Sequence, residues 1–176
     1  MNKIIADSIK YLSNGENFII QDLISRQTLP KKSSEEIVEL ARQFEMTYQK
    51  LPKLGYDLVC KYKEKRISYG LNPGIVILFV GGGRVNGKPL SLESDLDLFI
   101  GVENPKASFF PTRERPYKLE NTKFKQEIIA YFKNELIKKY KLEFFSERFQ
   151  IWNWGETFDK LKQDLNLIPV AITGVK

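Results

Sequence analysis

Two short stretches of this chain hold residue types that could do chemistry together. Gly81-Gly82-Gly83-Arg84 directly follows the apolar run Ile75-Val76-Ile77-Leu78-Phe79-Val80, and Ser94-Asp95-Leu96-Asp97-Leu98 lies shortly downstream. Side chains alternate along an extended strand, so Asp95 and Asp97 point to one face and Leu96, Leu98 and Ile100 to the other. Their Cα atoms should stand roughly 6.5–7 Å apart. Neighbouring carboxylates repel unless something positive lies between them. A converging pair at this separation suits one hard divalent cation, or two ions about 3.5–4 Å apart, with Mg²⁺ or Mn²⁺ the natural choices for oxygen donors. The glycines lack side chains, so a ligand can approach the backbone closely, and exposed N–H groups can donate to phosphate oxygens. Arg84 has the planar donor geometry that phosphate favours, and Lys88 is a second cation within reach. The loop lacks the Gly-Lys-Ser/Thr ending of a Walker A motif, and its glycine spacing is not that of a dinucleotide-binding fingerprint.

These residues need elements to hold them. Ile75–Val80 is short, β-branched and bounded by glycine, which predicts a strand buried on both faces. A second strand is expected from about Asp95 to Val102, then a loop punctuated by Pro105, Pro111 and Pro116, and a helix over about 121–139. A third strand should begin near Lys141-Leu142-Glu143-Phe144-Phe145, followed by a helix near 156–165. Residues 167–172 read as an edge strand, because Pro169 cannot donate to a sheet ladder. Upstream, residues 1–68 read as a helical segment, and Gly70, Asn72, Pro73 and Gly74 form the turn that joins it to the core at 69–176. Ser33 and Glu36 stand in capping-box positions ahead of Ile37, Leu40, Ala41, Phe44 and Tyr48 at helical spacing. Pro52 should end or kink that helix, with a further helical stretch over about 56–65. The expected class is therefore α/β (α+β).

Composition narrows the chemistry. The 176 residues contain no histidine and one cysteine, Cys60. Ser-His and Cys-His nucleophile pairs, His-bearing zinc sites and intrachain disulfides are excluded, leaving carboxylates, Lys, Tyr or metal-bound groups for acid–base work. A formal charge of +6 suits an anionic partner. The basic runs Lys61–Arg66 and Lys138–Lys141 fall near expected helix ends, where cations favour the dipole without any ligand. No apolar run approaches the roughly 20 residues that span a bilayer, and the first residues lack a secretory h-region, so a cytoplasmic location is expected and no membrane partner.

Val80 with the glycine pair that follows, and then Ser94-Asp95-Leu96-Asp97-Leu98, resembles the defining motif of nucleotidyltransferases of the DNA polymerase β superfamily: a hydrophobic residue, Gly-Gly or Gly-Ser, a spacer, then Asp-hydrophobic-Asp-hydrophobic on a strand. The resemblance covers about residues 75–145. It is shared with aminoglycoside and glutamine-synthetase adenylyltransferases and with the minimal nucleotidyltransferases of toxin–antitoxin pairs. It implies a small mixed sheet with helices on one side, preceded here by the helical segment. It also implies transfer of a nucleoside monophosphate from a nucleoside triphosphate, ATP foremost, to a hydroxyl on a small molecule, protein or RNA, with two Mg²⁺ or Mn²⁺ ions. Asp95 and Asp97 would be metal ligands and catalytic groups. Gly81, Gly82, Gly83, Arg84, Lys88 and Ser94 would bind nucleotide. A third carboxylate is implied on a later strand, and Glu143 in Leu142-Glu143-Phe144 matches it, with Glu147 as a neighbour.

Three other readings stand beside this one. Residues 75–100 could be a β-hairpin turning at Asn86-Gly87, with Asp95 and Asp97 decorating its wet face. The fold could serve as a non-catalytic nucleotide sensor or antitoxin-type protein. Or residues 1–68 could carry an interaction function, with the sheet as scaffold. The aromatic group Phe144, Phe145, Phe149, Trp152 and Trp154 is expected to pack in the core, with Trp152 or Trp154 as alternative purine-stacking residues.

Overall fold

The computed structural model describes residues 2–70, 74–103, 117–118, 123–154 and 166–175. The chain opens with helices α1 (Lys3–Leu12), α2 (Glu16–Ser25) and α3 (Glu35–Ser68). Ser34, not Ser33, caps α3, its hydroxyl accepting from the Ile37 N–H at 3.3 Å. The helix runs on through Pro52 rather than ending there. Leu51, Pro52, Leu54 and Gly55 are all buried, so packing against the sheet offsets the hydrogen bond that proline removes. Phe44, Leu51, Leu54, Leu58, Val59 and Tyr62 are fully buried at helical spacing, and together they form the floor of the core.

The sheet has five strands: β1 (Val76–Gly81), β2 (Leu96–Val102), β3 (Tyr117–Lys118), β4 (Phe149–Trp154) and β5 (Ile168–Thr173), in the order β3-β4-β2-β1-β5. β1 is antiparallel to β2 and to β5, β3 to β4, while β2 and β4 are parallel. This is a mixed sheet in an α+β chain. β5 stands at the edge as Pro169 demands, and the register shifts beside it, between Leu78 and Phe79. β1 is buried on both faces. Val76, Leu78 and Val80 join Leu98, Ile100 and the α3 residues in one large apolar cluster, which runs from Ile19 to Ala171. Ile77, Phe79 and Phe99 meet Ile4 and Ile5 of α1 on the other face. Helix α1 therefore covers this face, while α3 packs on the first.

After β2 the chain returns through α4 (Lys123–Tyr131), a π-helical turn (Phe132–Leu136) and α5 (Ile137–Lys139). Parallel pairing of β2 with β4 requires a crossover of this kind. The third main strand begins at Phe149, not near Lys141. Lys141 takes a left-handed φ of 57°, and Glu143–Phe145 is a 3₁₀ turn. The helix expected near 156–165 and most of the proline-rich connection lie outside the described residues. Phe145 and Phe149 pack with Phe44 and Phe132 as expected of core aromatics, but Phe144 is 65% exposed.

Candidate functional site

The site lies at the end of the sheet where β1 stops and β2 starts. Strand register sets Gly81 directly beside Asp97. The two strands are antiparallel neighbours, as the hairpin reading requires. Asn86 and Gly87 do not join them directly, however, because residues 82–95 intervene. Gly82–Arg84 folds as a 3₁₀ turn, closed by the Val85 and Asn86 N–H groups donating to the Gly82 carbonyl at 3.2 Å each.

The glycines are required at two levels. Gly82 has φ 74°, a left-handed conformation that side-chain-bearing residues rarely adopt, and a Cβ built there would overlap Oδ2 of Asp97. The carboxylate fills the space a side chain would take. A Cβ on Gly81 would strike Leu167 and Phe99, so that position is fixed by packing between β2 and β5. Gly83 faces the aliphatic part of exposed Lys88, 3.1 Å from a built Cβ to its Cδ.

Arg84 does not present its charge to solvent. It is 2% exposed, and its guanidinium lies 5.8 Å over the Phe44 ring while Nη2 donates to the Lys88 carbonyl at 3.2 Å. Burial pulls the guanidinium below its ordinary value; Tyr48 and the carboxylates of Asp95 and Asp97 oppose that pull. Arg84 is thus a buried cation behind the aspartates, seated on α3, rather than the open phosphate ligand expected from its type.

Asp97 lies on β2 between buried Leu96 and Leu98, as alternation requires, and Asp95 immediately precedes the strand. Ser94 braces that approach. Its Oγ accepts from the Ser91 N–H at 2.9 Å, and the Ser94 N–H donates back to the Ser91 carbonyl at 3.0 Å. Arg148 fastens the same loop from β4's side, its Nη1 donating to the carbonyls of Leu92 and Ser94 at 2.8 Å each.

The other wall was not anticipated. Parallel register pairs Asp97 with Gln150 and Phe99 with Trp152, so both β4 side chains share the aspartates' face. The Gln150 amide Nε2 donates to Asp95 Oδ2, and the Trp152 indole Nε1 donates to Asp97 Oδ1 at 3.3 Å. Trp152 also stacks on Phe99, with centroids 6.3 Å apart and planes 16° apart, which makes it part of the wall. The Trp154 side chain lies outside the described residues.

Glu143 is not brought to the aspartates. It sits exposed in the 3₁₀ turn before β4, because the strand starts later than its sequence pattern implied. Among the described residues no group of three or more His, Cys, Asp or Glu side chains is clustered so as to hold a metal ion. Asp95 and Asp97 alone are too few for an all-protein cage around a cation. Beside Asp95 a cavity of about 450 Å³ is lined by Glu93, Ser94, Asp95, Phe144, Glu147, Arg148 and Gln150. Glu147 therefore borders the site that Glu143 misses.

The basic runs are largely engaged elsewhere. Lys61 pairs with Glu64, Lys65 with Glu127 and Lys139 with Asp57, while Arg66 is fully buried. Among the described residues no helix is long and apolar enough to cross a membrane. No protein-family model matches the chain, and no curated protein or solved structure is similar enough to it to count as a match.

Proposed function

We propose that this chain is a metal-dependent nucleotidyltransferase, moving a nucleoside monophosphate from a triphosphate, ATP foremost, to a hydroxyl acceptor. The observation that carries the reading is the seating of the Asp97 carboxylate in the space left by Gly82, at the end of a side-chain-free turn. A triphosphate would meet this carboxylate pair through a bridging divalent cation, since like charges repel without one. Asp95 and Asp97 would hold Mg²⁺ or Mn²⁺, which when bound neutralises charge on the attacking and leaving oxygens. Arg84 acts from beneath, its buried charge keeping two adjacent carboxylates tolerable, and exposed Lys88 is the cation free to swing toward phosphate. The acceptor oxygen bonds to the α-phosphorus, the α–β bridging bond breaks, and pyrophosphate leaves with the electron pair. The acceptor's proton goes to a carboxylate of the cavity beside Asp95, which Glu147 also lines.

The deciding experiment incubates the protein with α-³²P- and γ-³²P-labelled triphosphates in a lysate. Movement of the α label onto an acceptor, with the γ label in pyrophosphate, is the expected result; transfer of the γ label alone would replace this reading with phosphoryl transfer. Nucleotide binding without transfer is the second reading. Gln150 favours it, since an amide stands beside the aspartates where a further carboxylate would assist chemistry. Calorimetric binding of ATP with no label moved would select it.

A further inference from the structure

We infer that Phe144 and the cavities around it form a docking surface for a polypeptide segment that joins an apolar side chain to basic ones, and that this segment carries the acceptor hydroxyl. Only the second half rests on the transferase reading above.

Phe144 and Phe145 are neighbours with opposite fates. The Phe145 ring is buried against Phe44, with centroids 5.2 Å apart, whereas Phe144 is 65% exposed. Its ring is nonetheless held, meeting Phe145 edge-on at 5.5 Å. An aromatic side chain fixed from below and uncovered above offers a partner contact area at little cost in ordering. Three cavities meet at this ring. One is the cavity beside Asp95. The next, of about 290 Å³, has Leu40 and exposed Leu92 on its walls, and the third, of about 200 Å³, passes exposed Met46 of α3.

Charge selects the occupant. The two cavities nearer Asp95 carry the carboxylates of Glu36, Glu39, Glu93, Asp95 and Glu147 against one cation, Arg148. Arg148 already donates to the carbonyls of Leu92 and Ser94. Glu39 is paired with Arg42, but Glu36, Glu93 and Glu147 form no ion pair among the described residues. This is an acidic approach in a chain whose formal charge is +6. A nucleic-acid strand would bring its phosphates against these carboxylates, whereas Lys and Arg of a polypeptide would be drawn to them. The exposed ring and the leucines beside it suit an apolar side chain of the same segment. Past Phe144 the sign reverses, since Lys50 and Lys141 line the third cavity, and this orients a segment of mixed charge.

The test gives α-³²P-labelled ATP to a lysate with the full-length chain, and asks what carries the label after protease or ribonuclease. The label is expected on a polypeptide other than this chain, lost to protease and indifferent to ribonuclease. Phe144→Ala should lower that labelling about tenfold, as truncation of an interface anchor does. Glu36→Lys, on α3 and outside the Asp95 cavity, should lower it about threefold, and more at low salt than at high. Both variants should bind a non-hydrolysable ATP analogue as wild type does and melt within a few degrees of it. In parallel, a displayed library of random short peptides is selected on the immobilised chain. Peptides joining an apolar residue to Lys or Arg are expected, with affinity about tenfold weaker for Phe144→Ala. Label on RNA, on a small molecule or on this chain itself, or polypeptide labelling indifferent to Phe144→Ala, would overturn the inference and leave the transferase reading standing. No movement of the α label, with such peptides still selected, would remove the transferase reading and keep the docking surface. Neither label nor such peptides would remove both.

Discussion

β2 and β4 lie side by side and run the same way, yet they bring opposite chemistry to one site. β2 and its approach contribute negative acceptors, Asp95 and Asp97; β4 contributes neutral donors, Gln150 and Trp152. The difference teaches that the charged pair has an uncharged brace on one flank, with the buried Arg84 cation close enough to feel both carboxylates.

Removing the charge on β2 should have the largest effect. Asp95→Asn or Asp97→Asn is expected to lower α-label transfer by about 10³-fold while the melting midpoint moves by only a few degrees. Wild-type turnover in either variant would sink the metal assignment. Next comes the turn that seats Asp97. Gly82→Ala forces a left-handed alanine and pushes on Oδ2, so stability should fall by about 1–3 kcal/mol and transfer by about 10²-fold. Measured rates and chemical denaturation midpoints check both.

Arg84→Met separates support from stability. A buried, desolvated guanidinium stacked on Phe44 should be replaced at little cost, with stability unchanged or raised by about 1 kcal/mol. Transfer should nevertheless fall about tenfold, as the aspartates lose their nearby cation. Loss of both together would mean that Arg84 serves chiefly to hold the turn. The smallest effect belongs to Glu143→Gln. Exposed and apart from the pair, it should change transfer less than about twofold and stability by less than about 0.5 kcal/mol. A hundredfold loss would restore it as the third carboxylate.

The legible half of this site was the locally encoded half. The apolar run Ile75–Val80 and the alternation of Leu96, Asp97 and Leu98 are visible within single strands, and both strands form where expected. Gln150 and Trp152 could not be found that way. Their residue types announce no chemistry, and their role exists only because β4 pairs in parallel with a strand some fifty positions earlier. Glu143 falls outside the strand for a local reason: left-handed Lys141 and the 3₁₀ turn postpone β4 until Phe149. Arg84 was legible as a cation beside the glycine turn, but its burial on Phe44 depends on α3, far away in sequence. Pro52 shows the same override. A breaker by propensity is carried inside a helix because the residues around it are buried.

The position of α3 has a consequence for synthesis. Its apolar side, fully buried in the finished molecule, leaves the ribosome long before the strands that cover it. Val170 and Ala171 of β5, which close over that face, are made about a hundred residues after Leu58. At ordinary elongation rates the exposed helix waits on the order of ten seconds for its cover. During that interval Phe44, Leu51, Leu54 and Leu58 are a sticky surface on a nascent chain, and a holdase that shields them would raise the yield of native protein.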